Sequence, residues 1–279
     1  MNNEGLRRVG VGSSEGRVAG LLREGASRLT PRGDRNRLVE RIVARGTDHM
    51  FSCDSPLGEI YVGVSEKGVR LLGRADSPEQ FALRYRKRFG RLLSWGKDPR
   101  TRSLSERIAL ALTGEKVGVP VDLSETTPFQ QRVLEVVAGI PRGEVRPYVW
   151  VAREAGSPKA SRAVGSVMAN NPVPLLIPCH RVVRNDGTTG RYAFGAKEKV
   201  GLLEAEGVPV EELAGSPYLA TPTTGIVCHA TCRNARRIRP ENRRPFRYVK
   251  DATAAGYRPC QVCRPTVGAE LTEHDAAGR

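Results

Sequence analysis

The sequence lacks any long hydrophobic run. No apolar stretch approaches the roughly 18 residues that a membrane span requires, so a membrane partner is not expected. The first twenty residues carry Arg7, Arg8 and Arg17 without an apolar h-region, so a cytoplasmic chain is expected rather than a secreted one. Internal repeats are absent. Acidic side chains fall short, with 30 Asp and Glu against 45 Lys and Arg. The resulting +15 and pI near 10.1 suggest an anionic partner, most often nucleic acid, unless the whole proteome is basic. Cysteine is too sparse for a disulfide scaffold, at six in 279 residues. Histidine is scarcer still, at four.

What is present describes a globular chain, 39% apolar and 27% charged, long enough for one large domain or two to three small ones. Positive charge is densest between 223 and 265, where ten basic residues face two acidic ones. Residues 1–47 read as a basic flexible arm rich in Arg, Gly and Ser. Met50–Cys53, Ile60–Val64 and Val69–Leu72 are short apolar runs separated by turn residues, which predicts a strand meander. Ser77-Pro78 starts a helix on which Phe81, Tyr85, Phe89 and Leu92 form one stripe. A further helix is expected over Leu104–Leu112, closing a small α+β domain (48–123).

From Thr127 the pattern turns helical, with Phe129, Val133, Val136 and Val137 in phase. Pro147–Ala155 and Lys159–Ala169 read as two short helices joined at Gly156-Ser157-Pro158, a helix-turn-helix. The small side chains around Arg162 suit either close approach to another surface or tight helix packing. Val173–Val183 reads as a buried extended segment, and Lys197–Glu206 as a closing helix of a domain spanning 124–210. A linker is expected over 211–222, then a small module (223–267) and a tail (268–279).

Two sets of residues carry chemistry. Cys179 follows a buried run, between Pro178 and His180-Arg181. It is either an inert core thiol or a reactive one whose pKa is lowered by a neighbouring His, Arg or helix end. A cysteine peptidase is a poor match, because the other histidines, His49, His229 and His274, lie in arms or in the small module. The second set is Cys228-x3-Cys232 and Cys260-x2-Cys263, four thiols in two close pairs. They suit tetrahedral zinc, with four unrelated thiols as the alternative and His229 as a possible substitute for Cys228.

Asn171-Pro172-Val173-Pro174-Leu175-Leu176-Ile177-Pro178-Cys179-His180-Arg181-Val182-Val183 resembles the active-site signature of the O6-alkylguanine-DNA alkyltransferases. Thr127-Pro128-Phe129-Gln130, Pro141-Arg142-Gly143-Glu144, Tyr148, Pro158–Gly165, Gly190, Tyr192, Lys197 and Leu202–Gly207 extend the resemblance, as does Asp54–Gly58 in the first domain. The resemblance covers about residues 49–210. It implies a winged-helix-like domain in which Cys179 accepts an alkyl group from O6-methylguanine, and from O4-methylthymine, in double-stranded DNA. His180 and Glu206 would activate Cys179 by favouring a protonated imidazole and hence the thiolate. Asn171 would brace the turn, and Tyr148 would contact the base and assist the leaving guanine. Arg162 would fill the gap left by the flipped nucleotide, with Ala160, Ser161, Gly165 and Arg181 also on DNA. Gly190, Tyr192 and Val182 would wall the pocket. The thioether product does not hydrolyse, so the protein would be consumed, acting as a monomer without organic cofactor.

The segment 223–265 resembles the zinc domain of Ada-type repair proteins, through Thr223–Ile226, the cysteine pairs, Pro240-Glu241-Asn242 and Ala255–Pro259. That resemblance implies structural zinc on Cys228, Cys232, Cys260 and Cys263, and a phosphotriester methyl acceptor at Cys228. His229-Ala230 departs from the family's Arg-Pro, so a basic clamp on phosphates is the alternative. Trp150 and Ala193-Phe194 also depart from the alkyltransferase pattern. The competing class for the whole chain is a DNA-binding alkylation sensor or transcriptional regulator. The overall expectation is an α+β chain of three parts, nucleoid-associated if bacterial.

Overall fold

The computed structural model describes residues 46–96, 99–115 and 117–266. The expected arm lies outside the described residues apart from its last two positions, and the tail lies outside them entirely. The meander forms as expected. Thr47–Ser55 (β1), Gly58–Ser65 (β2) and Gly68–Gly73 (β3) pair antiparallel, with Cys53 opposite Ile60 and Val62 opposite Leu72. Helix α1, Pro78–Phe89, begins where Ser77 accepts a hydrogen bond from the Gln80 amide at 3.2 Å and Pro78 supplies its fixed φ.

The end of α1 differs from the expected stripe. Gly90 adopts a left-handed φ of 66° and donates to the Arg86 carbonyl, which stops the helix before Leu92. Leu92–Trp95 becomes a fourth strand, β4, parallel to β1. The sheet order is β3-β2-β1-β4. Gly63 marks where α1 meets this sheet, because a Cβ there would lie 2.6 Å from the Tyr85 ring. Tyr85 donates to the buried Asp48 carboxylate at 2.5 Å, which Arg91 and Arg70 also bind. The next helix, α2, runs from Pro99 to Thr113 and is longer than expected.

The boundary near Leu123 separates no independent cores. Ile60, Val62, Val69 and Leu72 of the sheet and Ile108 of α2 share one cluster with Val133, Val137, Val151, Val164 and Cys179. Helix α3, Pro128–Ala138, opens with a capping box. The Thr127 hydroxyl accepts from the Gln130 amide while the Gln130 side chain accepts from the Thr127 amide. Arg146–Pro147 (β5) leads into α4, Tyr148–Glu154, and α5, Ser161–Ala169, completes the helix-turn-helix. On α5, Val164, Val167 and Met168 are buried while Arg162, Ala163 and Ser166 face outward. A Cβ on Gly165 would meet nothing within 4 Å. The small side chains therefore leave an open surface and do not serve tight helix packing.

The segment 173–183 is less extended than expected. Pro174 and Ile177 bridge a tight turn in which Leu175 takes a φ of 73°, a conformation costing about 1–3 kcal/mol. Cys179–Arg181 is a single 3₁₀ turn, and only Val182–Val183 (β6) is a strand, parallel to β5. Helix α6 spans Ala196–Ala205.

The expected linker is also structured. Val210–Leu213 (α7) packs its Leu213 with Val145, Val183, Leu203 and Val208. Tyr218–Thr221 (β7) is an inner strand of the module's sheet. That sheet has the order β10-β8-β7-β9, with β8 Ile226–His229, β9 Arg244–Phe246 and β10 Arg258–Pro259. Helix α8, Val249–Ala254, covers it through Val249 and Ala252. No helix among the described residues is long and apolar enough to cross a membrane.

Candidate active site and metal centre

The 3₁₀ turn places Cys179 and His180 side by side in the interior, 3% and 2% exposed. Beneath them, the Asn171 side chain donates to the Ile177 carbonyl at 2.9 Å and accepts from the Val173 amide at 3.1 Å. It thus ties together both ends of the turn that precedes Pro178. Burial raises the Cys179 thiol pKa, against the opposing pull of a hydrogen bond from Asn171, the Lys199 charge and the amides of Cys179 and His180. The resting group is a thiol.

His180 Nε2 lies 3.0 Å from Glu206 Oε1. Glu206 also receives Arg181 through Nε at 2.9 Å and Nη2 at 2.8 Å, and the Gly143 amide at 3.1 Å. Burial works to raise the Glu206 pKa, but the hydrogen bonds from His180 and Arg181 overcome it and bring it to about 2. Burial lowers the pKa of His180 despite Glu206. Burial thus opposes the protonated imidazole that the resemblance implies, while Glu206 favours it. Arg181 shares the Glu206 carboxylate with His180, and a neutral imidazole would donate Nε2–H to it. Its Nδ1 is buried without a partner and free to take a proton.

Arg181 itself moves out of the DNA-binding set. Besides Glu206, it donates to the Ile140 carbonyl at 2.7 Å, and its side chain is only 14% exposed. Both edges of the guanidinium are satisfied inside the protein. Gly143 explains its own identity here: at φ 73°, a Cβ would lie 2.8 Å from the Glu206 carbonyl.

Tyr148, at the start of α4, is half-buried, and burial and then Cys179 raise its hydroxyl pKa. Tyr192 packs edge-on to His180 at 6.2 Å, and its hydroxyl is buried without a partner. Gly190 holds the preceding loop at φ 70°. Phe194 stacks edge-on to Tyr192 at 5.6 Å, under the Arg74 guanidinium. Val182, expected in the pocket wall, is fully buried in the core and offers no surface. On α5, Arg162 is exposed, whereas Ala160, Ser161 and Gly165 are partly exposed along the same helix start.

Lys199 is the residue that sequence reasoning missed. It is fully buried, its Nζ donates to the Val182 carbonyl at 2.6 Å, and it is a cation in the field of Cys179. Burial lowers its pKa to about 8. Lys197 carries part of the resemblance, but Lys199 is the lysine seven residues before Glu206, two helical turns away on the same face.

In the module, the Sγ atoms of Cys228, Cys232, Cys260 and Cys263 lie within 4.8 Å of one another, all buried. Tetrahedral zinc with bonds of about 2.3 Å needs sulfurs about 3.8 Å apart, so the donor set fits. His229 lies outside this set. Its ring packs on Tyr218 at 5.2 Å, so Cys228 is the fourth ligand of the set.

Residues 128–208 match the family described as 6-O-methylguanine DNA methyltransferase, DNA binding domain. Residues 211–266 match the metal binding domain of Ada. The methylated-DNA–protein-cysteine methyltransferase of Methanosarcina acetivorans is 33% identical over 156 residues, covering 55% of this chain and 95% of that one. The chain belongs to this methyltransferase family. The relative from Methanothermobacter thermautotrophicus is 42% identical over 113 residues, or 39% of this chain and 63% of that one. A solved structure of the Mycobacterium tuberculosis OGT in complex with DNA is 30% identical, covering 60% of this chain and 98% of that one, with a TM-score of 0.46. The protein is thus a DNA repair methyltransferase that moves an alkyl group from DNA to a cysteine. It carries a zinc site in its C-terminal module.

Proposed function

We propose that Cys179 is the alkyl acceptor and that O6-methylguanine in duplex DNA, with O4-methylthymine, is the donor. The observation that carries this reading is the buried Cys179 beside a buried His180 that is oriented by Glu206 at 3.0 Å. His180 Nδ1 takes the thiol proton, and the imidazolium formed is held by Glu206. The Cys179 sulfur then forms a bond to the methyl carbon while the carbon–O6 bond breaks. The electron pair stays on guanine, which regains a proton with help from the Tyr148 hydroxyl. A thioether has no hydrolytic exit, so each chain acts once.

The target base is stacked inside a duplex and must be extruded, at a cost of a few kcal/mol. Arg162 enters the stack from the exposed start of α5, where Ala160, Ser161 and Gly165 let the helix backbone approach the groove. Tyr192 and Gly190 border the extruded base. Residues 48–123 and 124–210 share one core and act together in this reading, and the zinc module's sheet starts at β7. Bound zinc holds the four sulfurs deprotonated and staples a module with a small apolar core.

A second acceptor at Cys228 is favoured by one observation. A cleft of about 510 Å³ is lined by Thr223, Thr224, Arg237, Arg239 and Asn242, and Cys228 is the one cysteine of the set among its lining residues. Hydroxyl, amide and guanidinium groups suit a backbone phosphate, and the thiolate would take its methyl group as the diester leaves.

A single-turnover experiment tests the main reading. A duplex with one labelled O6-methylguanine should label the full chain to one methyl per molecule and no further. Tight binding without transfer would replace this reading with the sensor alternative.

A further inference from the structure

Trp150 breaks the alkyltransferase pattern, and the structure gives it a use. Its Nε1 donates to the carbonyl of Cys263, a member of the metal set, at 2.9 Å. The other cysteine pair reaches the same region. Thr231, just before Cys232, accepts from the Val145 amide at 2.9 Å, and the Arg233 amide, just after it, donates to Glu144 Oε1 at 3.1 Å. Glu144 is buried and pairs through its other oxygen with Arg146, whose guanidinium lies 5.5 Å over the Trp150 ring. Arg153 donates to the Arg264 carbonyl at 2.9 Å, and Arg264 pairs with Glu154.

The segment held in this way is part of the transfer site. Gly143, next to Glu144, donates to Glu206, which orients His180. Arg146 pairs in β5 with Val182, the residue that follows the Cys179 turn. Tyr148 begins the helix that carries Trp150. One short stretch, 143–150, therefore touches the metal knuckles on one side and the proton relay on the other.

We propose that the cysteine module is a positioning part of the alkyl-transfer site, acting through Trp150, Thr231 and Arg233 on the 143–150 turn. The proposal rests on the reading of Cys179 as acceptor. The four cysteines hold Thr231, Arg233 and Cys263 in register with that turn only while one ion draws both pairs together. Losing the ion releases Val145, Glu144 and Trp150 at once, and Gly143 follows through the chain. Trp150, Thr231 and Glu144 are positioning residues, because none of them reaches the reacting atoms.

The test compares the full zinc-loaded chain with the same chain after chelation. Amide hydrogen exchange at Gly143 and Val145 should speed up by about tenfold or more, while the α3 amides of Val133–Val137 hold. In the zinc-loaded chain, Thr231→Val and Trp150→Phe keep all four cysteines. Each should slow single-turnover transfer at saturating duplex by about tenfold, with the half-saturating duplex concentration changed by less than about twofold. If Trp150→Phe does not fold, Thr231→Val carries the test alone. Unchanged Gly143 exchange on chelation, or unchanged rates in the folded variants, would overturn the proposal. The exchange result is independent of which cysteine is methylated, so a failure here is separable from a failure of Cys179 as acceptor.

Discussion

Two cysteine centres share this chain, and under the proposed function they make a nucleophile in opposite ways. Cys179 stands alone in the core, where burial pushes its pKa up. In the proposed reaction it needs a base, and His180 would supply one, held by Glu206 that Arg181 also binds. Cys228 sits among three other sulfurs, where a shared cation, once bound, would take the place of the base. The first centre is closed off from solvent. The second is set beside an open, basic cleft. Both sulfurs are equally buried, so the difference lies in what surrounds them: a side-chain relay at Cys179, and three further thiols beside a basic cleft at Cys228.

The largest effect expected from separating them is Cys179→Ala. It should abolish transfer from O6-methylguanine while leaving one zinc per chain by metal analysis. Residual methylation of the module from that substrate would break the comparison.

Glu206→Gln comes next. Removing the charge that orients His180 and anchors Arg181 should slow transfer to Cys179 by about 10²–10⁴-fold, with phosphotriester transfer unaffected. Transfer to Cys179 should also fall at low pH, because His180 must be neutral to act as a base. Its lowered pKa puts that midpoint below 6.5. A midpoint above 6.5 in the pH–rate profile would mean the imidazole rests protonated.

Lys199→Met is the smallest and most local change. The Lys199 charge lowers the Cys179 pKa, so its loss should move the pH midpoint of thiol alkylation upward by several-fold in proton concentration. It also has a stability signature. The folded-state pKa of about 8 lies below the ordinary 10.5, so the unfolded chain binds the extra proton between these values. Stability of the wild type should rise as pH increases from about 8 to 10.5, and Lys199→Met should flatten that rise in denaturant titrations.

Much of this was legible where the chemistry is local. The Ser77-Pro78 helix start, the cysteine pairs and the Pro178-Cys179-His180 motif each carry their signal within a few residues, although the motif's 3₁₀ turn was read as extended chain. Strand β4 was misread because Leu92 falls in phase with the α1 stripe, although Phe89-Gly90 held the stop signal. Strand β7 was hidden by the Pro, Gly and Ser around it. Arg181 was placed on DNA because a guanidinium looks the same on paper whether it meets a phosphate or Glu206. Lys199 went unnoticed, and Trp150 stood only as a departure from the pattern, for a deeper reason. Their roles come from contacts made 17 and 113 residues away, which no local pattern displays.

The most direct test of the account is peptide mass analysis of the zinc-loaded chain after incubation with two separate duplexes. One carries O6-methylguanine and the other a single methyl phosphotriester. The account predicts one methyl on the Cys179 peptide from the first and one on the Cys228 peptide from the second. A chain that binds the first duplex yet leaves Cys179 unmodified would contradict it.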